Sequence, residues 1–170
     1  MPNTALAEMY RHNLWATMRL LDACEKLTDE QLDATIPGTF GSIRSTLLHW
    51  LRNEDRYVSF LRGEQPNPRL AVEPFPGFDA LRASADLSGS ALVEIAENLP
   101  DDPILRTRSD EGEAVELPIM TLIVQALNHA TEHRTHIGSL MGAQGVEPPD
   151  SDGWAYGDEV LGPRLGLSSA

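Results

Sequence analysis

Pro118-Ile119-Met120-Thr121-Leu122-Ile123-Val124-Gln125-Ala126-Leu127-Asn128-His129-Ala130-Thr131-Glu132-His133-Arg134-Thr135-His136-Ile137-Gly138-Ser139-Leu140-Met141-Gly142 is one unbroken helical stretch. Pro118 suits a first turn, where its missing N–H costs nothing. At ~100° per residue, His129, His133 and His136 share a face with Leu122, Ala126 and Leu140. The imidazoles therefore interrupt the apolar stripe itself. Each must find a polar partner, because an unsatisfied buried polar group costs roughly 1–3 kcal/mol. Two solutions stand open: a bound metal, or a hydrogen-bonded polar layer in the core. Histidines at i and i+4 can share one ion at ~2.0–2.1 Å. The zinc-protease helix pattern is absent, because Glu132 directly precedes His133 instead of following His129.

Working outward, three more segments carry helical periodicity. Leu6, Tyr10, Leu14, Thr17, Leu21 and Cys24 set a helix over about 4–26. Ile43, Leu47, Trp50, Leu51, Val58 and Leu61 set another from about Ser42 to Gly63. Leu81, Ala85, Leu92, Ile95 and Leu99 set a third over about 79–98. Thr28-Asp29-Glu30-Gln31 reads as a capping box opening one short turn, which Ile36-Pro37-Gly38 ends. Residues 64–77 hold Pro66, Pro68, Pro74 and Pro76 and form a crossover loop. Ile104–Arg108 and Ala114–Leu117 flank Ser109-Asp110-Glu111-Gly112 as a small β-hairpin, and a short helix is expected near Trp154–Leu161. The fold class is all-α: a four-helix bundle in one domain, 1–170, with a long crossover after its second helix.

The third ligand of a metal site would have to come from another helix. His49 lies off the centre of its stripe, on a flank shared with Thr46, Asn53 and Tyr57. That flank lines a cleft or faces solvent; periodicity does not choose. His12, next to Arg11, reads as a surface residue.

Composition narrows the function. Thirteen Lys and Arg against 26 Asp and Glu give a net charge of −13, which repels phosphate backbones and argues against nucleic acid. No stretch reaches the ~20 apolar residues of a membrane span. Met1-Pro2-Asn3-Thr4 runs straight into an amphipathic pattern, without a signal peptide, which sets a cytoplasmic expectation. The single cysteine, Cys24, sits on an apolar face and excludes Cys-rich zinc modules. Any metal must use His and carboxylate.

Three motifs in order resemble the DinB-like (damage-inducible B, YfiT-type) helical-bundle metalloproteins. Tyr10-Arg11-His12-Asn13-Leu14-Trp15-Ala16 is similar to the family's aromatic opening. Phe40-Gly41-Ser42-Ile43-Arg44-Ser45-Thr46-Leu47-Leu48-His49-Trp50 resembles the helix with its first metal histidine, followed by Glu54. Asn128-His129-Ala130-Thr131-Glu132-His133-Arg134 resembles its second signature. The resemblance implies an up-down-down-up bundle, often a homodimer, holding one divalent transition metal on His49, His129 and His133. Zinc or nickel is the first expectation, iron or manganese the next. His136 stands where many relatives have Gln, so it either joins the metal or bonds beside it.

Three neutral imidazoles with open positions describe a catalytic site more than a closed structural one. The resemblance implies a small-molecule substrate and a thiol-dependent S-transferase or related hydrolase, activating a low-molecular-weight thiol or water on the metal. The alternative is a non-catalytic metal-binding or interaction protein in which the ion stabilises the bundle. Glu54 and Glu132 are candidates for proton transfer, although exposed salt bridging is the simpler role for each. His136, Asn53, Tyr57 and Arg134 are candidates for the cleft or for orienting the ligands. Protonation of the imidazoles below ~6.5 should expel the ion.

Overall fold

The periodic segments fold as helices whose ends lie within a few residues of those expected. The computed structural model describes residues 4–99, 104–108 and 112–166. Helix α1 spans Thr4–Cys24, α2 Asp29–Asp33, α3 Ile43–Leu61, α4 Phe78–Glu97 and α5 Ile119–Ala143. Strands β1, Ile104–Arg108, and β2, Ala114–Pro118, pair antiparallel with Leu105 opposite Leu117. The chain is thus mostly helical with one small two-stranded sheet. Of the hairpin turn, Ser109, Asp110 and Glu111 lie outside the described residues. Among the described residues no helix is long and apolar enough to cross a membrane.

Local chemistry sets several of these ends. Thr28 caps α2 as a full capping box: its hydroxyl accepts from the Gln31 N–H, and the Gln31 side chain accepts from the Thr28 N–H. Ser42 caps α3 by accepting from the Ser45 N–H. Pro118, expected in the first turn of the helix, instead falls one residue before it, closing the β ladder opposite Ile104 and standing at the N-cap of α5. The C-terminal helix begins at Gly153 (α6, Gly153–Tyr156) and passes through a π-helical turn, Gly157–Leu161, into α7, Gly162–Arg164.

The apolar stripes meet in the interior. Tyr10 and Leu21 of α1, Trp50 and Leu51 of α3, Leu92 of α4 and Ile137 of α5 are fully enclosed. Helix α1 packs along α4, while α3 packs on both α4 and α5; α1 touches α5 more lightly. Small residues allow the closest approach. A Cβ at Gly89 would stand 2.8 Å from Leu14 Cδ1 and 3.2 Å from its Cβ, so any larger residue would push on the Leu14 side chain where α4 lies against α1. The crossover over 62–77 is tied down to α3. Asp55 accepts the Arg69 backbone N–H at 2.9 Å and pairs with its guanidinium, and Arg52 donates to the Leu70 carbonyl. Leu70 itself is buried.

Candidate metal centre

Helix α3 carries His49 and α5 carries His129 and His133, and the packing of these two helices brings the three rings together. His129 Nε2 lies 3.2 Å from His49 Nε2 and 3.0 Å from His133 Nε2. His129 and His133 are buried and His49 is half-buried. Three nitrogens crowding one point cannot satisfy one another: each ring has one N–H, and the lone pairs that meet repel. A cation removes the conflict. Two nitrogens ~2.0–2.1 Å from one tetrahedral ion stand ~3.3 Å apart, which is close to the separations here. The three histidines can therefore hold a metal ion, and among the described residues they are the group that can.

Electrostatics prepares the same state. Burial lowers the pKa of all three imidazoles. His133 is pushed down to about 4, by burial first and then by His129, His49 and His136. Neutral rings are what a cation needs. Proton competition consequently begins lower than the ~6.5 of a free imidazole that the sequence suggested. The Nδ1 atoms of His129, His133 and His136 are enclosed without a hydrogen-bond partner.

Neighbouring side chains divide into those at the cluster and those elsewhere. Asn53, one turn beyond His49, donates to the His49 carbonyl at 2.9 Å and places its amide 3.3 Å from the His49 ring nitrogens. Tyr57 sets its ring edge-on to His129, centroids 5.7 Å apart. His136 is half-buried with its ring 5.5 Å from that of His133, and it is not part of the cluster. Phe40, which periodicity could not place because it precedes α3, stacks on His49 at 4.0 Å and meets His133 edge-on. Glu132 is exposed.

Two readings of the sequence are corrected. Glu54 is not an exposed salt-bridging residue; it is 3% exposed, and burial raises its pKa. Its carboxylate accepts from Ser88 Oγ at 2.6 Å and from Asn13 Nδ2 at 3.5 Å, and Asn13 Oδ1 accepts from Arg134 at 2.6 Å. One polar residue from each of the four long helices meets in this layer. Arg134 accordingly turns toward α1, away from the histidine cluster, with its guanidinium 5.8 Å from the Trp50 ring. His12 is half-buried rather than on the surface: its Nε2 lies 3.0 Å from the Ser151 carbonyl, and its ring packs on Trp15 and Tyr156.

Of the three histidines, His49 lines a cleft of about 810 Å³. His49, Phe40, Arg44, Arg52, Val72 and Phe75 are among its walls. That volume falls within the ~300–1,000 Å³ of small-molecule sites.

In comparisons with known proteins, the family model described as "DinB family" matches residues 1–161 of this chain. Among curated proteins, no match is found.

Proposed function

Since this chain belongs to the DinB family, we propose that it is a metal-dependent enzyme, with His49, His129 and His133 holding one divalent transition ion, zinc or nickel before iron or manganese. The observation that carries this reading is the convergence of three neutral Nε2 atoms, 3.0 and 3.2 Å apart, one of whose rings, His49, lines a substrate-sized cleft. A purely structural zinc site is closed by four protein ligands, whereas a three-histidine set leaves a position open. When bound, the ion would supply Lewis acidity, giving a thiol or water a usable anionic form near neutral pH.

The rest of the work falls to the chain. Phe40 covers His49 and half-shields the cluster from water. The bond to the His49 carbonyl holds the Asn53 amide in place beside the His49 ring. The Glu54 layer holds α3 and α5 in register, so that ligands from two helices arrive at one point. The reaction we favour is thiol-dependent S-transfer or a related hydrolysis on a small-molecule substrate, with a low-molecular-weight thiol as cosubstrate. We extend the proposal to an up-down-down-up four-helix bundle, which the packing of α1 on α4, α4 on α3 and α3 on α5 supports. A cytoplasmic homodimer completes it; Met120 and Val124, exposed one turn apart on α5, would suit a partner surface.

Metal analysis by mass spectrometry on untagged protein, purified without chelator, tests the site. About one ion per chain, with turnover of a thiol and an electrophile above a His49→Ala control, is the expected result. One ion per chain, no turnover with thiols or hydrolysable esters, and a large loss of melting temperature on chelation would favour the non-catalytic alternative. No uptake of zinc, nickel or manganese by folded protein would end the metal reading.

A further inference from the structure

We propose that the cleft beside the histidine cluster recognises a substrate bearing a carboxylate, held by Arg52, with an apolar body laid against Phe40, Val72 and Phe75. This inference rests on the metal-enzyme reading and names the substrate class of that site. It starts from charge. In a chain of net charge −13, most arginines find a carboxylate: Arg11, Arg19, Arg44, Arg62, Arg69, Arg82, Arg106 and Arg164 all do. Arg52 does not. Its guanidinium donates to the Leu70 carbonyl, and among the described residues no carboxylate pairs with it.

Arg108 and Arg134 likewise bond to neutral oxygens, but away from this cleft, whereas Arg52 is placed where a substrate would pass. Arg52 stands three residues after His49 on α3, so both project to one side of the helix, and both line the same cleft. The other arginine there, Arg44, is already neutralised by Asp29 and Asp33 and lies over the Phe75 ring. Glu73 is exposed on the loop that borders the cleft and is not bonded to Arg52. One guanidinium is thus left with donors to spare, and its bond to Leu70 holds it in place. A planar fork of N–H donors matches a carboxylate better than any neutral group.

Around this cation the walls are apolar and open. Phe40 is 49% exposed and Val72 59% exposed, an unusual outlay of hydrophobic surface beside a charged group. The pairing suits a molecule with an acid at one end and a hydrocarbon or aromatic body reaching His49.

The test is calorimetric titration of 3-phenylpropanoate and of its uncharged amide into wild-type protein, zinc-loaded and metal-stripped, with Arg52→Gln and Arg52→Lys alongside. The acid should bind at least about tenfold more tightly than the amide, and Arg52→Gln should erase that preference while Arg52→Lys keeps part of it. Zinc uptake and the far-ultraviolet dichroism of each variant are read in parallel. If Arg52→Gln does not fold, the acid–amide comparison in wild type still decides. Equal binding of acid and amide overturns the proposal, as does failure of both to bind. Acid binding that needs zinc and ignores Arg52→Gln also overturns it, because the carboxylate is then on the ion. Failure of the metal reading shows separately, as wild-type protein that takes up no zinc.

Discussion

Removing the central imidazole, His129→Ala, is the sharpest perturbation of the cluster, because His129 Nε2 is the atom within 3.2 Å of both other rings. Structural zinc sites bind with ~10–16 kcal/mol spread over four ligands, so one ligand represents ~3 kcal/mol, or about a hundredfold in Kd. The consequence for stability follows by linkage. With free zinc at about a thousand times Kd, the native state gains ~4.1 kcal/mol. For a domain of this length that is a rise in Tm of ~8–16 °C. At the same zinc concentration a hundredfold weaker site gains only ~1.4 kcal/mol, or ~3–6 °C. Differential scanning calorimetry with and without zinc reads both shifts, and competition with a chromogenic chelator reads Kd directly. If His129→Ala shows the same zinc-induced shift and Kd as the wild type, the ion binds elsewhere and the geometric argument fails.

Two further outcomes follow from burial. Metal-loaded protein should keep its ion well below the ~6.5 of a free imidazole, since a folded-state pKa held down to about 4 at His133 delays protonation. Stability from the neutral ring is present above the unfolded value and lost as pH falls toward the folded one, so metal content after equilibration in a stepped acid series checks the sign; release centred at the free-imidazole value contradicts it. Glu54 works in the opposite sense: its pKa is raised by burial, so it favours the fold in acid and loses that contribution as pH rises through the folded value. Glu54→Gln should therefore gain on the wild type in urea midpoint as pH increases, whereas Glu54→Ala, taking away the acceptor of the Asn13 amide and the charge that faces buried Arg134, should cost about 3 kcal/mol or more. An unchanged gap between Gln and wild type across pH would refute the assignment.

Much of this was legible in the sequence, and the reason lies in which facts are local. Helices α1, α3, α4 and α5 announce themselves because apolar spacing records burial within a few turns. His129 and His133 announce themselves for the same reason, as polar residues set into such a stripe. His49 did not, since a flank position reads alike whether it lines a cleft or meets solvent, and only the family resemblance singled it out. Glu54 was misjudged because its partners Asn13, Ser88 and Arg134 come from three other helices. No spacing rule joins residues so far apart. Arg52 was invisible altogether, because its meaning is a missing partner, and that is a property of the folded surface alone. Arg134 shows how local and distant facts combine. A single step of ~100° from His133 turns it away from the histidine cluster and toward Asn13. Buried Ile123, Ala126, Ile137 and Leu140 set the rotation of α5 about its axis, and the Arg134–Asn13 bond ties that setting to α1. That rotation aims His129 and His133 at His49, so the polar layer in the core and the cluster at the cleft are two faces of one helix setting.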